Sequence, residues 1–205
     1  MNIFKKLLYK LTYKLTNKLT NKFPYTIYCD MDGVLVDLFE GGIYSTIKNP
    51  KDQHIVEKII KDNVKWSKIH PNKDIERILK HIRGILDNNV EFWANLKPKS
   101  DSLRLWAYIC QYNVKILSHP WDKRCIEGKR MWISNNLDPT PMEKDIFLPL
   151  DGKKERWAVT NGIPNVLIDD FEEYLTPWRL AGGIAIHHTS TKSTIKALED
   201  LKTNY

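Results

Sequence analysis

Apolar residues recur along this chain in five short runs, each followed by a more polar stretch. Most runs are continuous rather than alternating, which is typical of strands covered on both faces, as in a parallel sheet. Segments with apolar residues at helical spacing lie between and after them, and Asp101 precedes one of these as a plausible cap. The predicted strands are residues 25–29, 114–117, 146–148, 166–168 and 184–186, and the predicted helices are residues 101–112, 121–136, 154–160, 171–181 and 191–201.

The alternation of strands and helices predicts an α/β fold with a doubly wound, Rossmann-like parallel sheet of about five strands. The interval between the first strand and the helix before the second, roughly sixty residues, is too long for an ordinary crossover. Helical spacing at residues 53–64 and 74–86 within it indicates an inserted helical cap. The predicted divisions are an N-terminal extension at 1–23, a core domain at 24–37 and 97–205, and a cap at 38–96.

The formal net charge of +7 resides mostly in the N-terminal extension, because residues 1–22 contain six lysines and no acid. The remainder is therefore nearly neutral, and we expect no nucleic-acid partner for it. The Lys-Leu-Thr repeat of the extension predicts a basic amphipathic helix of the kind that lies on an anionic membrane or docks on a partner. A solvated extension without a specific role is an equal alternative.

The three cysteines form no C-x-x-C pair, which argues against a disulfide scaffold or a zinc ribbon. They fit a reducing compartment, so the expected localisation is cytoplasmic. No apolar stretch approaches the length of a spanning helix. The oligomeric state stays open, with a dimer as one option.

Polar side chains follow four of the five predicted strands. Ligands of open α/β sheets bind beyond the carboxyl ends of the strands, so these groups are expected to converge on one small volume. Carboxylates packed closely repel each other, and oxygen-only ligands favour Mg²⁺ over zinc as the cation that holds them together. The residues are Asp30 and Asp32, Ser118 and His119, Asp169 and Asp170, and His187 and His188, of which the last two are expected to be structural.

The sequence DMDG at residues 30–33 resembles the first motif of the haloacid dehalogenase superfamily. Ser118 stands where that superfamily has its hydroxyl motif, a lysine follows at 153 or 154, and Asp169-Asp170 corresponds to its acidic pair. Four motifs occur in the order that the superfamily requires. Read without the resemblance, Asp30 and Asp32 are ordinary turn and cap residues, and Asp169-Asp170 is a helix cap.

The resemblance narrows to the 5'(3')-deoxyribonucleotidase family. Residues 30–42 (DMDGVLVDLFEGG) are similar to its opening, with one extra residue near position 38, and residues 92–98 resemble its aromatic-x-x-Leu-x-Pro segment. The likeness is weakest between residues 43 and 89, and the second motif reads Ser-His-Pro where the family has Thr-Ser-Pro. Further matching positions are Cys125, residues 128–133, residues 167–170, Trp178 and residues 182–184.

The resemblance implies a Mg²⁺-dependent phosphomonoester hydrolase that acts through an aspartyl-phosphate. Asp30 is then the nucleophile, Asp32 the general acid and base, and Ser118 a donor to the phosphoryl group. Lys154 offsets negative charge, and Lys153 is kept as the alternative lysine. The implied metal ligands are Asp30, the Asp32 carbonyl, Asp169 and Asp170, and the candidate substrate contacts are Gly33, Phe39, His119 and Lys129.

The expected substrates are nucleoside monophosphates, with deoxyribonucleotides first. Phe39 has the best claim to stack on a base, because its segment leads from the site into the cap. Trp66, Phe92 and Trp93 share that claim, although core packing suits single aromatic residues better. The alternatives are a sugar phosphate or another small phosphoester as substrate, a phosphorylated polynucleotide end, and a membrane- or partner-docking protein with a vestigial site.

Overall fold

The computed structural model describes residues 23–61 and 73–203. The predicted N-terminal helix and Trp66 lie outside these ranges. Five strands form one sheet in which every neighbouring pair is parallel, in the order β3-β2-β1-β6-β7, so the predicted fold class is confirmed. The strands are β1 Ile27–Cys29, β2 Val114–Leu117, β3 Ile146–Phe147, β4 Val159–Thr160, β5 Ile163–Pro164, β6 Val166–Asp169 and β7 Ile184–His187.

The centre of this sheet is the most deeply buried part of the described molecule. Ile27 pairs with Val114 of β2 on one side and with Val166 of β6 on the other. All residues of β6 are buried, which explains why the run is continuously apolar up to its last residue, Asp169. The chain order reverses at β1, and this switch point is where open α/β sheets bind their ligands.

Helices flank the sheet, and further helices lie within the described parts of the long inserted interval. They are α1 Pro50–Lys61, α2 Lys73–Leu86, α3 Val90–Ala94, α4 Ser102–Ile109, α5 Lys123–Asn136, α6 Glu172–Leu180 and α7 Thr191–Thr203, with 3-10 turns at Glu143–Asp145 and Lys154–Trp157 and a π-helical segment at Leu38–Tyr44. None of the helices in residues 23–61 and 73–203 combines the length and the apolar character that crossing a membrane requires.

The described parts of the interval from β1 to α4, residues 30–61 and 73–101, are largely helical, as their periodicity predicts. The division of this interval from the core as a separate domain stays a prediction. Helix α2 buries an apolar stripe, Ile75, Ile78, Ile82 and Leu86, at the spacing of one helix face. Helix α3 then packs closely on α5. A Cβ atom at Gly128 would lie 2.5 Å from Trp93 Cβ and 2.6 Å from the Val90 carbonyl oxygen, so only glycine permits this approach.

Two local predictions need correction. Residues 154–160 are not one helix: Lys154–Trp157 form a 3-10 turn, and Val159–Thr160 form β4, which pairs with β5 in a separate hairpin. The hairpin turns at Asn161 and Gly162, whose positive φ angles of 51° and 77° suit an Asn-Gly turn.

Asp101 precedes α4 but has φ 69°, and its side chain makes no cap hydrogen bond. A capping side chain normally needs an extended backbone, so the Asp101 carbonyl accepts from Leu105 N–H instead.

Candidate active site

The loop after β1 is a tight turn that places Asp30 and Asp32 at the end of the sheet. The N–H groups of Leu35 and Val36 both donate to the Met31 carbonyl, at 2.7 and 2.8 Å. The loop backbone can turn here because Gly33 has φ 77°. A Cβ atom at Gly33 would lie 1.9 Å from Asp170 Oδ2, so the absence of a side chain lets the β1 loop meet the end of β6.

Three carboxylates from two neighbouring strand ends come together at this point. Asp30, Asp169 and Asp170 each offer an oxygen, and these oxygens all lie within 4.8 Å of one another. The Asp30 N–H donates to the Ile168 carbonyl at 2.9 Å, which continues the β1–β6 ladder up to Asp30. The acidic groups that the sequence predicts to converge are therefore brought together.

Lys154 provides the ammonium group of this cluster. Its side chain is 1% exposed, and Nζ lies 2.9 Å from Asp30 Oδ1 and 2.7 Å from Asp169 Oδ2. Burial works to lower the pKa of Lys154, but the charges of Asp30 and Asp169 outweigh it and raise that pKa above its usual value. Lys153, the alternative lysine, is exposed, so the structure brings Lys154 and not Lys153 into the site.

The acidic cluster has too little positive charge of its own. Burial raises the pKa of Asp169 to about 7, with Lys154 offsetting part of the effect, and burial together with the Asp30 charge raises the pKa of Asp170 to about 8. Lys154 pairs with Asp30 and Asp169, whereas Asp170 has no ion-pair partner among the described residues, and the charge of Lys99 offsets only part of the rise in its pKa. All the ligand atoms of the three carboxylates are oxygens. These features fit Mg²⁺, which Asp30, Asp169 and Asp170 would hold.

A second buried lysine, Lys129, forms an ion pair with Asp32, the other carboxylate of the β1 loop. Lys129 of α5 is 1% exposed, and its Nζ lies 2.6 Å from Asp32 Oδ2 and 3.3 Å from Ser118 Oγ. The same ammonium group lies 5.3 Å from the centre of the Trp93 ring. Burial raises the pKa of Asp32, and the Lys129 charge opposes that rise. Asp32 Oδ1 is buried and has no hydrogen-bond partner within the described residues.

Ser118 and Lys129 are thus next to the candidate acid. Ser118 follows β2 and is held there by its N–H, which donates to the Phe147 carbonyl at 3.0 Å. Lys129 was expected among the substrate contacts, and the structure gives it two partners inside the protein that its sequence position does not reveal.

The ring of His119, a predicted substrate contact, is engaged by the protein itself. Nδ1 lies 2.7 Å from Tyr174 Oη, and Nε2 lies 3.2 Å from the Leu150 carbonyl oxygen. Its contact with substrate stays a prediction. Tyr174, which sequence reasoning did not select, is the residue that this arrangement adds to the site.

The two histidines at the end of β7, His187 and His188, both contact the protein itself, which fits the structural role that the sequence predicts for them. His188 is buried and bonds Thr194 Oγ1 through Nδ1 at 2.8 Å, and burial lowers its pKa to about 4, so it is neutral. His187 Nε2 lies 3.0 Å from the Asp170 carbonyl oxygen. This contact supports the backbone that carries the acidic pair.

The aromatic candidates differ in burial. Phe39 lies in the π-helical segment and is half-buried against the main core, and Phe92 is also half-buried. Trp93 is 3% exposed, which fits the core alternative rather than a surface that stacks on a base. Trp106 and Trp132 are buried in the core.

Comparison with known proteins identifies the architecture. A hydrolase from Streptococcus pneumoniae TIGR4 superposes with a TM-score of 0.50 and 13% identity, over 85% of this chain and 98% of that one. The L-2-haloacid dehalogenase from Xanthobacter autotrophicus gives the same score and identity, over 85% of this chain and 82% of its own. The chain has the haloacid dehalogenase fold. No family model and no curated protein sequence matches it, so at this identity the likeness defines the fold alone.

Proposed function

We propose that this protein is a Mg²⁺-dependent phosphomonoester hydrolase that acts through an aspartyl-phosphate intermediate. The observation that carries the proposal is the convergence of Asp30, Asp169 and Asp170, of which the first two pair with the buried Lys154. Such a site lacks positive charge, and a phosphoryl group brought against it needs a cation. A bound Mg²⁺ supplies that charge to the phosphoryl oxygens.

The side chains supply the nucleophile and the proton transfers. An Asp30 oxygen attacks phosphorus, and the bond from phosphorus to the leaving oxygen breaks. Asp32 gives its proton to that leaving oxygen, and its raised pKa favours the protonated form that this step needs. In the second half-reaction Asp32 takes a proton from water, the water oxygen attacks phosphorus, and the bond to Asp30 breaks. The products are the alcohol and inorganic phosphate.

The remaining polar groups position the two catalytic carboxyl groups and offset negative charge at the phosphoryl group. Lys154 holds the Asp30 carboxylate through Oδ1 and offsets charge that builds up near it. Ser118, 3.3 Å from Lys129 Nζ, is available as a donor to a phosphoryl oxygen. Lys129 holds the Asp32 carboxylate in place for proton transfer.

The fold is shared with a dehalogenase, so displacement of halide by Asp30 is the rival chemistry. Replacing a halide at carbon needs one carboxylate nucleophile and a positively charged surrounding for the anionic substrate. Two further carboxylates, the buried Asp169 and the partly buried Asp170, work against an anionic substrate unless a cation is bound. This charge argument favours phosphoryl transfer.

Within the phosphomonoesters, nucleoside monophosphates are the substrate class that we favour, with deoxyribonucleotides first. The support is the resemblance of residues 30–42 and 92–98 to the deoxyribonucleotidases, and the half-buried Phe39 ring at the start of the inserted interval. A sugar phosphate is the second candidate, because the resemblance is weakest in that interval.

A substrate panel tests both levels of the proposal. Phosphate release is measured from dUMP, dTMP, the matching ribonucleotides and glucose 6-phosphate, with Mg²⁺ or with chelator, and halide release is measured from 2-chloropropionate. We expect phosphate release from the nucleotides that chelator and Asp30→Asn both abolish. Asp37→Asn makes the same chemical change later in the segment and is expected to leave activity unchanged.

The possible results of the panel distinguish failure of the proposed reaction type from failure of the proposed substrate class. Halide release that is insensitive to chelator, with no phosphate release, overturns the phosphatase proposal. Phosphate release from glucose 6-phosphate in preference to every nucleotide overturns the nucleotide assignment and leaves the reaction type standing.

A further inference from the structure

The hydrogen bonds of His119 define which ring nitrogen carries the proton in the neutral imidazole and which group donates to the other nitrogen. A carbonyl oxygen only accepts, so the contact of 3.2 Å between Nε2 and Leu150 requires that Nε2 carries the proton. In the neutral ring Nδ1 is then an acceptor, and the Tyr174 hydroxyl donates to it at 2.7 Å. Burial raises the pKa of Tyr174 to about 12, so the hydroxyl keeps its proton.

The chain is shaped so that the loop before Lys154 closes on this imidazole ring. Gly152 has φ 66°, and a Cβ atom there would lie 2.9 Å from His119 Nδ1 and 3.0 Å from Cε1. Glycine therefore allows the backbone to press against the ring while Leu150 accepts its hydrogen bond. His119 is fixed from two sides by one loop and by α6.

The Tyr174 ring in turn faces the catalytic ammonium group. Lys154 Nζ lies 4.2 Å from the centre of that ring, at the distance of a cation–π contact. The same Nζ bridges Asp30 and Asp169 at 2.9 and 2.7 Å. The hydroxyl bond to His119 limits rotation and sliding of the Tyr174 ring, and so sets where the ring meets Lys154.

We propose that His119 and Tyr174 are positioning residues that hold the Lys154 ammonium group between Asp30 and Asp169. The inference rests on the proposed phosphatase function. His119 is the residue that stands in place of the second hydroxyl of the Thr-Ser-Pro motif, and it acts on the site through the ring of Tyr174 rather than by contact with substrate.

Paired variants of His119 test this role through a split between kcat and KM. His119→Ala is expected to lower kcat for dUMP by about 10- to 100-fold with little change in KM, because Lys154 loses its fixed position but substrate contacts remain. His119→Asn puts an amide oxygen near the place of Nδ1 and is expected to recover most of the loss. His119→Gln reaches towards Leu150 instead and is expected to recover little.

A double-mutant cycle with Tyr174→Phe completes the test. This change removes only the hydroxyl, and the loss in kcat is expected to equal that of His119→Ala, with no further loss in the double variant. If His119→Ala does not fold, which thermal unfolding reports, Tyr174→Phe carries the test alone. Wild-type kcat in Tyr174→Phe, equal rescue by Asn and Gln, or losses that multiply in the double variant would overturn the proposal.

A readout that needs no turnover keeps this inference separate from the proposed function. Nitrogen-15 NMR of His119 is expected to show the Nε2-protonated tautomer in the wild type and a changed Nδ1 signal in Tyr174→Phe. A ring protonated at Nδ1 would overturn the inference. A wild type that hydrolyses no phosphomonoester would instead overturn the proposed function.

Discussion

Two buried lysines serve the two carboxylates of the β1 loop, and their surroundings differ. Lys154 lies between Asp30 and Asp169, two carboxylates at the ends of adjacent core strands. Lys129 lies between one carboxylate, Asp32, and the hydroxyl of Ser118. Both side chains are 1% exposed, so burial does not distinguish them. The difference is in the charge around each ammonium group.

In the mechanism that we propose, the contrast gives the two halves of the reaction to different parts of the fold. The Lys154 side is built from β1, β6 and the turn before β4, so charge neutralisation belongs to the sheet. The Lys129 side is built from α5 and rests on Trp93 of α3, which belongs to the inserted interval. Proton transfer to the leaving group is therefore the half that is connected to the segment expected to contact the rest of the substrate.

Removing each ammonium group tests this contrast with the largest expected effect. Lys154→Met keeps the length of the side chain and leaves Asp30 without its counter-charge, so kcat for dUMP is expected to fall about 10³-fold. The same change at Lys129 is expected to cost less. Steady-state kinetics with circular dichroism as the folding control measure both, and a larger loss in Lys129→Met would reverse the assignment.

Gly33→Ala is a change directed at the cluster of Asp30, Asp169 and Asp170, the proposed metal ligands. The added methyl group would lie 1.9 Å from Asp170 Oδ2, and the positive φ angle adds strain, so the carboxylate must move. We expect about 100-fold lower kcat and weaker Mg²⁺ affinity in a calorimetric titration. Gly84→Ala is the matched control, because nothing lies within 4 Å of the added atom in α2. Unchanged Mg²⁺ affinity in Gly33→Ala would contradict the ligand assignment.

Lys129→Met tests the proposed role of Lys129 in proton transfer, by comparing substrates with different leaving groups. A nucleoside is a poor leaving group that needs a proton, whereas p-nitrophenolate leaves without one. Lys129→Met is expected to lower kcat about tenfold more for dUMP than for p-nitrophenyl phosphate, because Asp32 loses its orientation for proton transfer. Lys154→Met is expected to affect both substrates alike. Equal losses for both substrates in Lys129→Met would remove the link to the general acid.

The smallest expected effect is a pH dependence of stability without metal. The pKa values of Asp169 and Asp170 are raised from 3.8 to about 7 and about 8. At pH values between 3.8 and these raised values, the folded form therefore holds more protons than the unfolded chain. This contribution to the free energy of unfolding is complete below pH 3.8 and is lost as the pH rises through 7 to 8. In chelator, Tm is expected to fall over that range, and both Mg²⁺ and Asp170→Asn are expected to reduce the fall. A rising Tm would contradict the charge balance described here.

The sheet and the acidic residues at its edge could be predicted because both depend on local sequence. A continuous apolar run such as residues 166–168 predicts a covered strand, and the topology then brings its next residue, Asp169, to the switch point. The Asn161-Gly162 turn carried a recognisable hairpin signal that the helical interpretation of residues 154–160 overlooked.

The partners of the site side chains could not be predicted, because they come from distant parts of the chain. The choice between Lys153 and Lys154 depends on which side chain enters the core, and their short turn has no periodicity to reveal it. The bond between His119 and Tyr174 joins residues 55 positions apart. The contact of Lys129 with Asp32 spans 97 positions, and neither pair has a local sequence signature.

The central claim is that Asp30 accepts the phosphoryl group, and trapping the intermediate tests it most directly. The protein is mixed with Mg²⁺ and dUMP, quenched in acid within one turnover, digested and analysed by mass spectrometry, with Asp30→Asn as control. The account predicts one phosphoryl group on the peptide that contains Asp30, and none in the variant. Phosphate release with no phosphorylated peptide, or with the phosphoryl group on a different residue, would contradict it.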